Sequence, residues 1–184
     1  KLAAKRLKGT ARHTEIIPSR TLSELTGHEI LLKPENLQVT GSFKIRGAYN
    51  KIASLSEEQI ARGIVTASAG NHAQGVAYAA RERHAKATIC MPQITPPLKV
   101  DATKAYGADV VLYGDVFDEA AAHAAELAST QGMIYVPPFD DYEVICGQGT
   151  IGLEILEDVP NVTDVVVPLG GGGLGAGVAL AIKT

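Results

Sequence analysis

The chain has 184 residues, enough for one sizeable core or for parts of two small domains. Its 46% hydrophobic and 20% charged residues are ordinary for a globular protein. A net charge of −3 argues against a nucleic acid or an anionic membrane as partner, and no run approaches the roughly 20 apolar residues of a membrane span.

In chain order, the basic cluster Lys1, Lys5, Arg6 and Lys8 reads as a solvated helix face. Lys1 is not an initiator Met, so the start reads as trimmed. Strands are expected at 29–33, Ile64–Ala67, Ala87–Met91, Asp109–Leu112, 133–136 and 164–168. Between them runs helical periodicity: Ile45, Ala48, Tyr49 and Ile52, then Ala73, Val76, Ala77 and Ala80. "SEEQ" at Ser56 reads as a capping box, and Phe117–Gln131 has Asp118 and Glu119 in its first turn. Gly27, Gly63, Gly107 and Gly132 sit where helices should stop. "PQITPP" and "PPFDDY" read as rigid surface connections, the second as a domain crossing. Cys90 and Cys146 lack metal-ligand spacing and are expected to be reduced. No signal peptide is visible, so a cytoplasmic location is expected.

This alternation predicts an α/β fold with parallel sheets, whose ligands bind beyond the carboxyl ends of the strands. Three strand-to-helix junctions therefore matter. In "VVVPLGGGGLGAG" an apolar run ends in Gly170, Gly171, Gly172 and Gly173, and a helix follows from Leu174. Successive unobstructed amides at a helix start form an anion nest suited to phosphate. The loop also fits G-x-G-x-x-G, so a dinucleotide stays open. However, it lies late in the chain, and the acidic ribose partner would fall past its end. No Gly-Lys-Ser/Thr follows, which excludes a triphosphate P-loop.

The second junction, "TASAGNHAQG", runs from a strand through Ser68, Ala69 and Gly70 into a helix. Its amides suit a carboxylate. Asn71 with Gln74 three residues on equally fits an N-cap pair, and His72, in a first turn, should be neutral. The third is "TGSFKIRGAYN", with Ser42 as the expected N-cap. It puts Lys44 and Arg46 in a first turn, where the helix dipole disfavours cations. A lysine held neutral there is a nucleophile toward aldehydes. The common cofactor that is both an aldehyde and a phosphate ester is pyridoxal phosphate. The lysine and the glycine nest then explain each other.

"LKPENLQVTGSFKIRGAYNK", "SAGNHAQGVAYAA", "KAYGADVVLYGD", "GQGTIGLEIL" and "VPLGGGGLGAG" carry a resemblance that runs from about residue 22 to residue 184. The chain resembles the serine/threonine dehydratase family of fold type II pyridoxal-phosphate enzymes. The resemblance implies a tryptophan-synthase-β-like architecture with two open parallel-sheet domains. Residues 1–48 and 137–184 would belong to the larger domain, incomplete in this chain, and residues 49–136 to a small α/β domain with four strands. It implies threonine ammonia-lyase chemistry: pyridoxal 5′-phosphate-dependent α,β-elimination of L-threonine, and of L-serine, to a 2-oxo acid and ammonia. By the same resemblance, Lys44 bonds the cofactor and later moves the α-proton. Phe43 packs on its ring, Asn71 bonds the ring 3′-oxygen, and Gly170, Gly171, Gly172, Gly173 and Leu174 hold its phosphate. Ser68, Ala69, Gly70 and His72 line the substrate-carboxylate loop. Arg46 has no implied role beyond facing solvent or an ion pair. The partners implied are a small amino-acid substrate and further copies in a homo-oligomer.

Two alternatives are carried. Serine racemases place a serine where this chain has Ala69, and alanine moves no proton, which favours elimination. Cysteine and threonine synthases show an acidic residue where this chain has Ile45. A truncated chain without turnover is the other alternative, because the pyridine-nitrogen partner and the metal carboxylates of some relatives would lie further on. No metal ligand is named within this sequence. Thr14, Glu15 and Ile16 depart from the "TPL" of many members, at the substrate entrance.

Overall fold

A computed structural model describes residues 1–184. The chain begins with α1 (Leu2–Leu7), then β1 (Ile17–Pro18), α2 (Arg20–Thr26) and β2 (Leu31–Leu32). The Ser19 hydroxyl caps α2, and Gly27 closes it at φ 71°, a left-handed turn that glycine adopts without strain. The other expected stops, Gly63, Gly107 and Gly132, also fall at positive φ. The strand expected at 29–33 shrinks to two residues, and it pairs antiparallel with β1 instead of joining a parallel sheet. Proline explains this: Pro18 and Pro34 bracket the pairing, and neither can donate to a longer ladder.

A 3₁₀ turn (Glu35–Leu37) leads to α3 (Lys44–Ala53) and α4 (Glu57–Ala61). The expected capping box opens α4: Ser56 N–H donates to Gln59 Oε1 at 2.9 Å, and Gln59 N–H to Ser56 Oγ at 3.2 Å. Strand and helix then alternate through β3 (Ile64–Ala67), α5 (Asn71–Glu82), β4 (Ala87–Met91), α6 (Pro97–Lys104), β5 (Asp109–Leu112), α7 (Phe117–Gln131) and β6 (Ile134–Tyr135). The four strands β3 to β6 pair in parallel in the order β5-β4-β3-β6. Their side chains divide with period two. Ile64, Ile89 and Met91 pack with α3, α5 and α6, whereas Val65, Ala67 and Cys90 meet Ala120 and Ala124 of α7. The chain winds outward through β4 and β5, then returns to the far side of β3. In such sheets ligands bind where the strand order reverses, here at the carboxyl ends of β3 and β6.

Beyond β6 lie α8 (Tyr142–Asp158), capped by the Asp141 carboxylate, an extended stretch, and α9 (Gly173–Lys183). The strand expected at 164–168 does not form. No neighbouring segment offers it a ladder, and Val166 stands 97% exposed. Helices α3, α8 and α9 approach through glycines. A methyl on Gly147 would strike the Arg46 carbonyl, and one on Gly149 would come within 2.8 Å of the Gly177 carbonyl oxygen.

Candidate active site

Lys44 opens α3, with Phe43 at the N-cap. The expected cap, Ser42, lies one residue outside; its hydroxyl accepts only the Lys44 amide, two residues on, at 3.4 Å. The Lys44 amine donates to the Pro138 carbonyl at 2.7 Å and lies 5.5 Å from the centre of the Phe43 ring. Its pKa is lowered, as expected, and burial lowers it.

Phe43 and Lys44 share a cavity of about 310 Å³ with Gly170, Gly171, Gly172, Gly173 and Leu174, a volume at the small end of ligand sites. None of the amides of residues 170–175 donates a hydrogen bond within the chain. They cluster at the start of α9, where the dipole favours an anion. Gly172 turns at φ 87°. Gly171 and Gly173 are glycine for a different reason: a side chain on Gly171 would strike the Phe139 ring, and one on Gly173 would sit 2.8 Å from the Phe139 carbonyl oxygen. An amine on one wall and orphaned amides on another fit a ligand that is both an aldehyde and a phosphate.

The second junction sits outside this cavity wall. Asn71 is the first residue of α5 rather than its cap; Gly70 takes the cap position and offers no side chain. Asn71 is exposed, while Ser68, Ala69 and Gly70 are half-buried, and Ser68 Oγ accepts the Gly70 amide at 3.2 Å. His72 is buried, and its Nε2 lies 3.0 Å from the Val136 carbonyl oxygen. A carbonyl only accepts, so Nε2 carries the proton and Nδ1 is the bare nitrogen, buried without a partner. Burial, helped slightly by the charge of Lys44, lowers the His72 pKa to about 4, so the ring is neutral as expected. This junction touches the lysine from behind: a methyl on Gly75 of α5 would lie 3.1 Å from the Lys44 carbonyl carbon.

Three lining residues from outside the three junctions went unforeseen: Pro138, Phe139 and Gln148. "PPFDDY" is a floor of the cavity rather than only a surface connection, and its mid-crossing aromatic was the available signal. Gln148 is buried on α8, where its Oε1 accepts the Gly47 amide at 3.1 Å. Arg46 is buried and ion-paired to Glu35 and Glu154, one of the two expected outcomes.

With this geometry established, known proteins add a consistent picture. The chain is 57% identical over its whole length to an L-threonine ammonia-lyase of Thermotoga maritima, of which it covers 46%. Among solved structures it resembles the processed form of threonine deaminase isoform 2 from Solanum lycopersicum, with TM-score 0.94 and 48% identity over 96% of this chain and 49% of that one. It also resembles maize serine racemase, with TM-score 0.95 and 37% identity over 99% of this chain and 55% of that one. The chain thus spans about half the length of the relatives it matches. The family model described as "Pyridoxal-phosphate dependent enzyme" matches residues 7–184, almost the whole of the sequence. By that match, and with an amine and a cluster of unpaired amides facing one cavity, this chain belongs to the pyridoxal-phosphate-dependent enzymes.

Proposed function

We propose that this chain carries the lysine and phosphate sites of a lyase that eliminates water from L-threonine, and from L-serine, yielding 2-oxobutanoate or pyruvate with ammonia. The observation that carries this reading is the shared cavity of Lys44 and the unpaired glycine-loop amides. When bound, pyridoxal phosphate supplies an aldehyde for amines and a ring that takes up the electrons of a broken Cα–H bond. Gly170, Gly171, Gly172, Gly173 and Leu174 would hold its phosphate at the start of α9. Phe43 would pack on the ring and Asn71 would bond its oxygen. Ser68, Ala69, Gly70 and His72, at the start of α5, would hold the substrate carboxylate. Lys44 Nζ, whose pKa burial lowers, would take the α-proton. Loss of that proton with the β-hydroxyl leaves an enamine, which water converts to the 2-oxo acid and ammonia. Ala69 has no proton to move, which supports elimination over racemisation.

The four-stranded sheet from β3 to β6 supports residues 49–136 as a small domain, with 1–48 and 137–184 belonging to a larger one. Two free cysteines agree with a reducing, cytoplasmic setting, and a homo-oligomer completes the reading. No helix is long and apolar enough to cross a membrane.

The test is spectroscopic, then chemical. The chain mixed with pyridoxal phosphate should show the visible band of a lysine-bound cofactor, and Lys44→Ala should lose it. A band that survives in Lys44→Ala sinks the assignment. L-Threonine should then yield 2-oxobutanoate and ammonia. Binding without product places this chain in the second class, a cofactor-binding piece without turnover. D-Serine formed from L-serine overturns the Ala69 argument.

A further inference from the structure

Arg46 heads the fully buried side chains by volume, with 1% of its surface exposed, and the proposed chemistry makes no use of it. Its guanidinium reaches three separate stretches of chain. Nε and Nη2 each donate to a different oxygen of Glu35 at 2.8 Å. Nη1 and Nη2 fork onto Glu154 of α8 at 2.5 and 2.9 Å. Nη1 also reaches Thr150 Oγ1 at 3.1 Å, and Nη2 the Arg12 carbonyl at 3.0 Å. The two carboxylates are themselves held: Thr14 Oγ1 donates to Glu35 at 2.7 Å, and Lys33 pairs with Glu154 at 2.8 Å. Burial pulls the guanidinium pKa down, and the two carboxylates more than restore it.

Lys44 and Arg46 stand two residues apart in the first turn of α3, so their side chains leave the axis about 200° apart. One enters the cavity; the other is gripped by the N-terminal arm and α8. Gly147 lies flat against the Arg46 carbonyl, so the turn cannot slide along α8. The two guanidinium forks oppose its rotation. A lysine would keep the charge but lose both forks.

We propose that Arg46 is a positioning residue for Lys44: clamped by Glu35 and Glu154, it sets the rotation of the first turn of α3 and so holds the lysine amine in the cavity with the glycine loop. The proposal rests on Lys44 being the cofactor-bonding lysine. A purely structural arginine would change melting alone. A positioning arginine also changes the surroundings of the Lys44 amine, which are now burial, the Phe43 ring, the Pro138 carbonyl and the neutral His72.

The chain is loaded with pyridoxal phosphate across a pH series and reduced with borohydride. Label on Lys44 is then measured by peptide mass spectrometry, with thermal melting in parallel. In Arg46→Lys the lysine becomes more exposed, and the labelling midpoint should rise by about one pH unit, or about tenfold less label at neutral pH. Thr150→Val and Glu35→Gln should move it the same way by less. Lower melting with unmoved midpoints overturns the proposal. Should Arg46→Lys fail to fold, the two milder variants decide by the same criterion. Absence of Lys44 label in the unmutated chain overturns the cofactor reading itself, a result distinct from unmoved midpoints.

Discussion

His72 is the residue whose burial has the clearest consequence in solution. Its pKa falls from 6.5 to about 4 because the folded state excludes the charged ring. Between those values the unfolded chain binds a proton that the folded chain does not, so stability falls as pH falls through that window. The loss attributable to this one group is about 3 kcal/mol across the window. Urea unfolding at neutral pH and near pH 5 should show a smaller difference in His72→Gln than in the unmutated chain. Equal differences in both chains would mean that the ring is not excluded as a cation. Glu154 shows the converse case, a charge that must be present. Removing it leaves Arg46 with Glu35 alone and Lys33 with Asp158 alone, so Glu154→Ala should destabilise by roughly 3 kcal/mol in the same assay.

At the scale of elements, glycines decide how near the helices come. Gly177 of α9 faces the Ile145 carbonyl and the Gly149 backbone of α8, so an added methyl has no room. In an open helix, glycine to alanine would gain about 1 kcal/mol of propensity. Here Gly177→Ala should instead lower stability by about 1–3 kcal/mol, because overpacking outweighs propensity. Calorimetric melting reads the sign directly. The same logic separates two kinds of glycine in the loop before α9. Gly172 is required by its backbone angle, Gly171 by the ring of Phe139 behind it. Gly171→Ala should therefore be partly rescued by Phe139→Ala, whereas Gly172→Ala should not. Cofactor titration of the single and double variants reads this coupling.

For the molecule as a whole, the sheet and its helices form one well-covered body, while the stretch before the glycine loop does not. Val166 is almost wholly exposed within a β-branched run that pairs with nothing. Such a run is a template for association with another strand. Val166→Lys should lower self-association, measured by light scattering at matched concentration, without changing the melting temperature. Unchanged scattering would show that the run is not the sticky element. It is also the place where the sequence expectation of a sixth strand failed. The pattern was right for a strand, but pairing is a property of two segments, and no other segment of residues 1–184 pairs with this one.

The strands Ile64–Ala67, Ala87–Met91 and Asp109–Leu112, the capping box at Ser56 and the glycine stops were all legible because each depends on local periodicity or local backbone geometry. Lys44 and the glycine loop were legible for a different reason. Each breaks a local rule, and the structure brings both to one cavity. What only the tertiary structure decided was which groups meet. Pro138 and Phe139 are far from Lys44 in sequence, yet the carbonyl of one accepts a hydrogen bond from its amine and the ring of the other backs the glycine loop. Arg46 looked misplaced at a helix start until Glu35 and Glu154 were brought around it from two other segments. Burial lowered the Lys44 pKa, and burial is set by packing from several elements at once, so no local pattern in the sequence could have assigned it.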